Sequence, residues 1–139
     1  MINPEAKLKI AGGGWSSNQL DNALLNNIEI LGNVDDLSAL YAKAKCFLFT
    51  SKTEGFPNVL AEACSFGLPI ISTNPGDASV ILKDYPNADI ATTEKHFLKI
   101  LNNFDKNDFT LRRKAAKDFR KKFDFDITVS NYIKFFKSL

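Results

Sequence analysis

The 139 residues hold 18 lysines and arginines against 16 aspartates and glutamates, a formal charge of +2, and 45% of them are hydrophobic. That balance suits one packed core, and it excludes a disordered chain and a partner held by bulk positive charge alone. Two cysteines and one histidine argue against a disulfide framework and a metal site, and the longest apolar runs are far short of a membrane span, so a cytoplasmic domain is expected.

In chain order, Met1 to Ile10 lacks the apolar middle of a signal peptide. Leu8 to Ala11 reads as a strand, followed by Gly12-Gly13-Gly14, which suits either a flexible turn or a close approach of backbone to a ligand. A helical segment near 17–25 leads to a strand at Ile28 to Leu31 and a helix near 35–44. Cys46 to Thr50 has the length and apolar content of a buried strand, and the loop Ser51 to Phe56 leads to a helix over 57–66. Strands at Pro69 to Ser72 and Asp89 to Thr92 enclose a helix near 77–84. Three amphipathic helices close the chain, with stripes at Phe97, Leu101 and Phe104, at Leu111, Ala115, Phe119 and Phe123, and at Val129, Tyr132, Ile133 and Phe136. Alternating strands and helices imply an α/β fold with a parallel, doubly wound sheet and a helical cap at the tail.

The segment Glu54-Gly55-Phe56-Pro57-Asn58-Val59-Leu60-Ala61-Glu62 carries the chemistry. Proline suits a first helical position, because its missing N–H would be unpaired there anyway. The amides of Asn58, Val59 and Leu60 would then face the loop, and with the helix dipole they form an anion site suited to phosphate. Glu62 falls in an otherwise apolar helix. It is either a solvent-facing side chain or a carboxylate that accepts from two vicinal ribose hydroxyls.

From Lys7 to Ile81 the chain resembles the donor-binding domain of glycosyltransferase family 4, retaining and metal-independent enzymes of the GT-B fold. The resemblance is carried in order by Lys7-Leu8-Lys9-Ile10-Ala11-Gly12-Gly13-Gly14, by Ile28 to Val34, by Leu37 to Ala44, by Glu54 to Glu62 and by Phe66 to Thr73. Phe123 to Leu139 is similar to the closing helix of such domains. The resemblance implies one Rossmann-like domain over 1–139, a partial GT-B C-terminal domain, without the acceptor-binding domain. It implies transfer of a hexose from a nucleotide-sugar donor to a glycan or lipid-linked acceptor, as in polysaccharide or lipopolysaccharide biosynthesis.

By the same resemblance Glu54 and Glu62 are the two glutamates of the family's E-x7-E motif. Glu54 is the catalytic carboxylate against the donor sugar, and Glu62 holds the ribose. Backbone groups of Gly55, Phe56, Asn58, Val59 and Leu60 meet sugar hydroxyls and diphosphate, Gly32, Asn33 and Val34 lie beside the base, and Gly12 and Gly13 tend towards the cleft. No metal and no cofactor is expected. The family's Gly-Arg strand, with the Arg and Lys that neutralise the leaving diphosphate, would precede Met1. The facing edges of the strands at Leu8 to Ala11 and Cys46 to Thr50 would then close on each other, take a strand from another chain or lead to self-association. The family's Pro-Ser is Thr50-Ser51 here, and its Gly-Gly-x-x-Glu is Pro75-Gly76-Asp77-Ala78-Ser79.

Three other signals have plainer readings. Asp124-Phe125-Asp126 matches a metal-binding D-x-D of glycosyltransferases with a different fold, but it lies between two helices, where Asp126 is expected to cap the second. His96 and Lys52 are read as structural or solvated. Arg112 to Lys122 is strongly basic, yet Ala115, Ala116 and Phe119 recur at core spacing, so it is the wet side of an amphipathic helix and no nucleic-acid partner is expected. Peripheral contact with the inner face of a membrane is an expectation, since lipid-linked acceptors are common in the family. Beside the enzyme stand a non-catalytic nucleotide-sugar module and an inert fragment of a split transferase.

Overall fold

The structure, a computed structural model, describes residues 6–20, 25–104 and 111–138. Among the described residues five strands and six α-helices follow in the order β1 Leu8–Ala11, β2 Ile28–Gly32, α1 Ser38–Lys43, β3 Phe47–Phe49, α2 Asn58–Ser65, β4 Ile70–Ser72, α3 Ala78–Leu82, β5 Ala88–Ile90, α4 Glu94–Asn103, α5 Arg112–Lys122 and α6 Phe125–Lys137. The expected helix near 17–25 is replaced by single 3-10 turns at Ser17–Gln19 and Leu25–Asn27, and residues 21–24 lie outside the described ones. Ser16, Ser17, Asn18, Asn26 and Asn27 offer the backbone local hydrogen-bond partners that compete with a regular helix. The N–H of Ser16, for example, donates to Gln19 Oε1 at 2.8 Å.

The chain divides into two compact units, Met1–Leu40 and Tyr41–Leu139. In the first, β1 and β2 pair in parallel from Leu8↔Ile28 to Ala11↔Gly32, with an irregularity between Ile10 and Ala11. In the second, β3, β4 and β5 form a parallel sheet in that order, with Phe47↔Ile70↔Ala88 in register.

Every buried hydrophobic residue among those described lies between Tyr41 and Phe119. The centre is Leu60 and Cys64 of α2, Leu68, Ile70 and Ile71 of β4 and its approach, and Ile81 of α3. Burial pushes the Cys64 thiol up to about 12, consistent with a small apolar role for this residue. α2 ends in a Schellman motif: Gly67 N–H donates to Cys64 O at 2.9 Å and Leu68 N–H to Ala63 O at 3.2 Å. Gly67 is the left-handed residue, at φ +73°, and a Cβ there would fall into the backbone carbonyl of Arg112.

Arg112 exploits that close approach. Its guanidinium donates to Phe66 O at 3.1 Å, Ala44 O at 3.0 Å and Tyr41 O at 2.6 Å. It thereby collects carbonyls that the ends of α1 and α2 leave unpaired. Further along α5, Phe119 meets Tyr85 edge-on at 5.8 Å, and the Tyr85 hydroxyl donates to Leu68 O at 2.8 Å.

Two helix starts are set by side chains. Thr93 Oγ1 accepts the His96 N–H at 3.1 Å, and His96 Nδ1 accepts in turn from Thr92 N–H at 3.4 Å, so His96 is part of the α4 cap. Asp124, and not Asp126, caps α6: its Oδ1 accepts the N–H groups of Asp126 and Ile127 at 3.0 and 3.3 Å. The helix starts two residues earlier than the sequence suggests, which moves Asp126 into its first turn. The stripe Val129, Tyr132, Ile133 and Phe136 does lie on one helix, but all four side chains are exposed, Phe136 by 66%.

Gly67→Ala should lower the unfolding free energy by about 2–5 kcal/mol, the sum of a left-handed alanine at roughly 1–2 kcal/mol and overpacking at roughly 1–3 kcal/mol. Gly55→Ala, where a Cβ meets open space, is the control. Urea unfolding of both variants tests this, and equal midpoints would remove the Gly67–Arg112 contact as the reason.

Candidate functional site

β3 ends at Phe49, and the chain then runs through an exposed loop to α2. Two bonds from Thr73, just beyond β4, hold the start of this loop: its N–H donates to Phe49 O at 2.8 Å and its hydroxyl to Ser51 O at 2.7 Å. The loop therefore leaves from the C-terminal edge of a parallel sheet, the edge where open α/β folds place their ligands. A hollow of about 440 Å³ lined by Pro69, Ile70, Asn87, Asp89, His96 and Lys99 lies at the opposite edge, where β4 and β5 begin. It brings together no pair of glutamates and no helix start of α2.

Glu54 is exposed at the turn of the loop, and its backbone is fixed from across the sheet. Asp77 N–H donates to Gly55 O at 3.0 Å. Gly76, at φ +51°, lies so close that a Cβ would meet the carbonyl oxygens of both Glu54 and Gly55. Only glycine allows this approach, and Gly76 had been legible in the sequence merely as part of a departure from a motif.

Pro57 is buried and forms the N-cap of α2, with the helix proper starting at Asn58. The Pro57 carbonyl accepts the N–H of Leu60 at 3.0 Å and that of Ala61 at 3.3 Å. The Leu60 amide is therefore occupied, and its side chain is fully buried. Among the described residues no acceptor is found for the N–H groups of Asn58 and Val59, so the free amides of this helix start number two and not three. Phe56, 46% exposed, and Val59 give the loop an apolar wall.

Glu62 lies one turn further on and is exposed. Its carboxylate is nonetheless engaged, since the Tyr41 hydroxyl stands 3.2 Å from Glu62 Oε2 and 3.2 Å from Val59 O. Burial, and then the charge of Glu62 and the bond to it, raise the Tyr41 pKa well above that of a free phenol, so the group is a neutral donor. Nothing adjacent in sequence marks this pairing; the one signal is that Tyr41 is the single aromatic residue of α1.

The remaining expected positions belong to the first unit and are described within it. Gly12 N–H donates to Gly32 O at 2.7 Å, joining the two strand ends. Gly13 faces Asn33, whose Oδ1 would lie 3.0 Å from an added Cβ, and Val34 is half-buried beside it in sequence. Lys52 is exposed. Among the described residues no three His, Cys, Asp or Glu side chains are grouped to hold a metal ion, and no helix is long and apolar enough to cross a membrane.

The site thus offers a carboxylate on a pinned loop, two unpaired amides at a helix start and a second carboxylate on that helix. Such a set can accept hydrogen bonds from hydroxyls at both ends and hold an anion between them. Gly76→Ala should shift the backbone amide resonances of Gly55, Phe56 and Asp77 and lower stability by about 1–3 kcal/mol. Unmoved resonances in a folded variant would show that Gly76 does not set the position of Glu54.

A family profile described as Glycosyl transferases group 1 matches residues 1–122. An uncharacterised glycosyltransferase of Methanocaldococcus jannaschii is 40% identical over 76 residues, 51% of this chain and 19% of its own length. A Campylobacter jejuni α-1,4-N-acetyl-D-galactosaminyltransferase, whose name gives a diNAcBac-PP-undecaprenol-linked substrate, is 32% identical over 126 residues, 81% of this chain and 35% of its own length. The structure of Anabaena HepE, solved in complex with UDP, matches with a TM-score of 0.73 at 19% identity over 99% of this chain and 42% of that one. The fold is that of GT-B glycosyltransferases, and the chain spans less than half the length of each of these relatives. The match over residues 1–122 shows that this chain belongs to the glycosyl transferases group 1 family.

Proposed function

We propose that the chain is the donor-binding part of a retaining, family 4 type hexosyltransferase that moves a sugar from a nucleotide sugar to a glycan or lipid-linked acceptor. The observation that carries this reading is the ordered pair of carboxylates flanking the free amides of Asn58 and Val59. In it Glu54 lies against the donor sugar, the α2 start meets the diphosphate and Glu62 accepts from the ribose hydroxyls. Backbone groups of Gly55 and Phe56 complete the sugar contacts, while Gly12, Gly13, Gly32, Asn33 and Val34 serve the nucleoside. The UDP complex of HepE supports a nucleotide donor, and the undecaprenol-linked substrate in the Campylobacter name supports a lipid-linked acceptor; in the same proposal that acceptor is met at a membrane's inner face. The acceptor wall comes from the remainder of a longer protein or from another chain. The chemistry calls for no metal.

Charge-assisted hydrogen bonds of roughly 1.5–3 kcal/mol set the scale for Glu62. Calorimetry with UDP, GDP and ADP should find one nucleotide that binds, and Glu62→Ala should weaken it by about ten- to a hundredfold, with magnesium making no difference. Absence of binding by all three, or binding unchanged in Glu62→Ala, would overturn the reading.

Transfer itself needs more than these 139 residues. A helix start contributes up to about 2 kcal/mol to a developing anion, whereas loss of a single preorganised donor costs about 2.7–4 kcal/mol in a transition state. The purified chain is expected to bind the donor without forming glycoside; product from the isolated chain with a glycan acceptor would refute this.

A further inference from the structure

We infer that Tyr41 is the positioning residue for Glu62, holding one oxygen of the carboxylate so that the other is presented to the ribose diol. The inference rests on the donor-binding reading of Glu62 and names a residue of that same site which does not itself touch the donor.

A glutamate on an exposed helix face has three freely rotating side-chain bonds, and its carboxylate samples many positions unless something fixes it. Here the fixing group is itself immobile. Tyr41 is 5% exposed. Its ring meets Phe47 edge-on at 5.9 Å and lies against Phe66 at 5.4 Å. Its carbonyl accepts from Arg112 Nη2 at 2.6 Å. The ring can therefore place its hydroxyl at only one spot, within 3.2 Å of both Glu62 Oε2 and Val59 O.

A phenol has a single proton to donate. The ionised carboxylate is the stronger of the two acceptors, because its bond is charge-assisted. Oε2 is thus occupied from the protein side, and among the described residues Oε1 has no partner. Vicinal hydroxyls approaching Oε1 meet a carboxylate already oriented for them, which removes an ordering cost from binding.

The test is Tyr41→Phe, which keeps the ring packing and removes only the hydroxyl. Calorimetry compares the nucleoside diphosphate that binds the unmodified chain with its 2′,3′-dideoxy counterpart. Tyr41→Phe should weaken the ribonucleotide about five- to twentyfold and leave the dideoxy compound within twofold. In a Glu62→Ala background the same change should have no effect. Equal weakening of both nucleotides would mean a merely structural role and would overturn the inference, as would additive losses in the double variant.

A second readout needs no nucleotide. The Glu62 side-chain carboxyl carbon, followed by NMR in the free protein, should move on Tyr41→Phe, and an unmoved signal overturns the inference. A chain that binds no nucleotide while this signal moves loses the donor-binding reading, and with it the ribose role, although the hydrogen bond itself stands.

Discussion

The second unit depends on one close approach, the passage of the α5 backbone over the end of α2 at Gly67. Two helices end beside each other there, and each leaves carbonyls without intrahelical partners. The Arg112 guanidinium takes acceptors from Tyr41, Ala44 and Phe66 at once, which a planar fork can do and an ammonium on a flexible stem cannot. The contact is available only because Gly67 carries no side chain. It ties α1, α2 and α5 together at one point, and Tyr41, whose hydroxyl reaches Glu62, is among the residues tied.

The opposite end of α2 is organised by different means. There the backbone and not a cation does the holding: Thr73 secures the exit from β3, the Gly76 turn abuts the carbonyls of Glu54 and Gly55, and the Pro57 carbonyl takes the amides of Leu60 and Ala61. The two glutamates are thus placed by separate devices. Glu54 follows the connection between β4 and α3, while Glu62 follows α2 and the tyrosine on α1. A change in one device leaves the other standing, which makes the two ends of the site separable by mutation.

How much of this was legible in the sequence depended on whether the cause was local. Strand positions followed from short apolar runs bounded by Gly, Pro and Asn, and all five strands fall within a residue or two of their expected places. The start of α2 was marked by Pro57, and the spacing of Glu54 and Glu62 could be read directly. Interactions between residues far apart in the chain left no such mark. Arg112 looked like one more cation in a solvated run, and only its position over Gly67 turns it inward. Tyr41 and Glu62 are separated by 21 positions. The 3-10 turns at 17–19 and 25–27 show local side-chain competition overriding a weak helical pattern, and the α6 cap at Asp124 shows how a choice between two aspartates two positions apart is decided by the backbone of the first turn.

The confinement of buried side chains to Tyr41–Phe119 also bears on cooperativity. A two-stranded parallel ladder whose described side chains are none of them fully enclosed cannot stand as a folding unit of its own. The heat absorbed on melting, which scales with the number of residues that unfold together, should therefore correspond to the second unit and not to all 139 positions. The amide hydrogens of β1 and β2 would exchange through openings far less costly than the global transition, so within the first unit order is held by the ladder alone and not by a core.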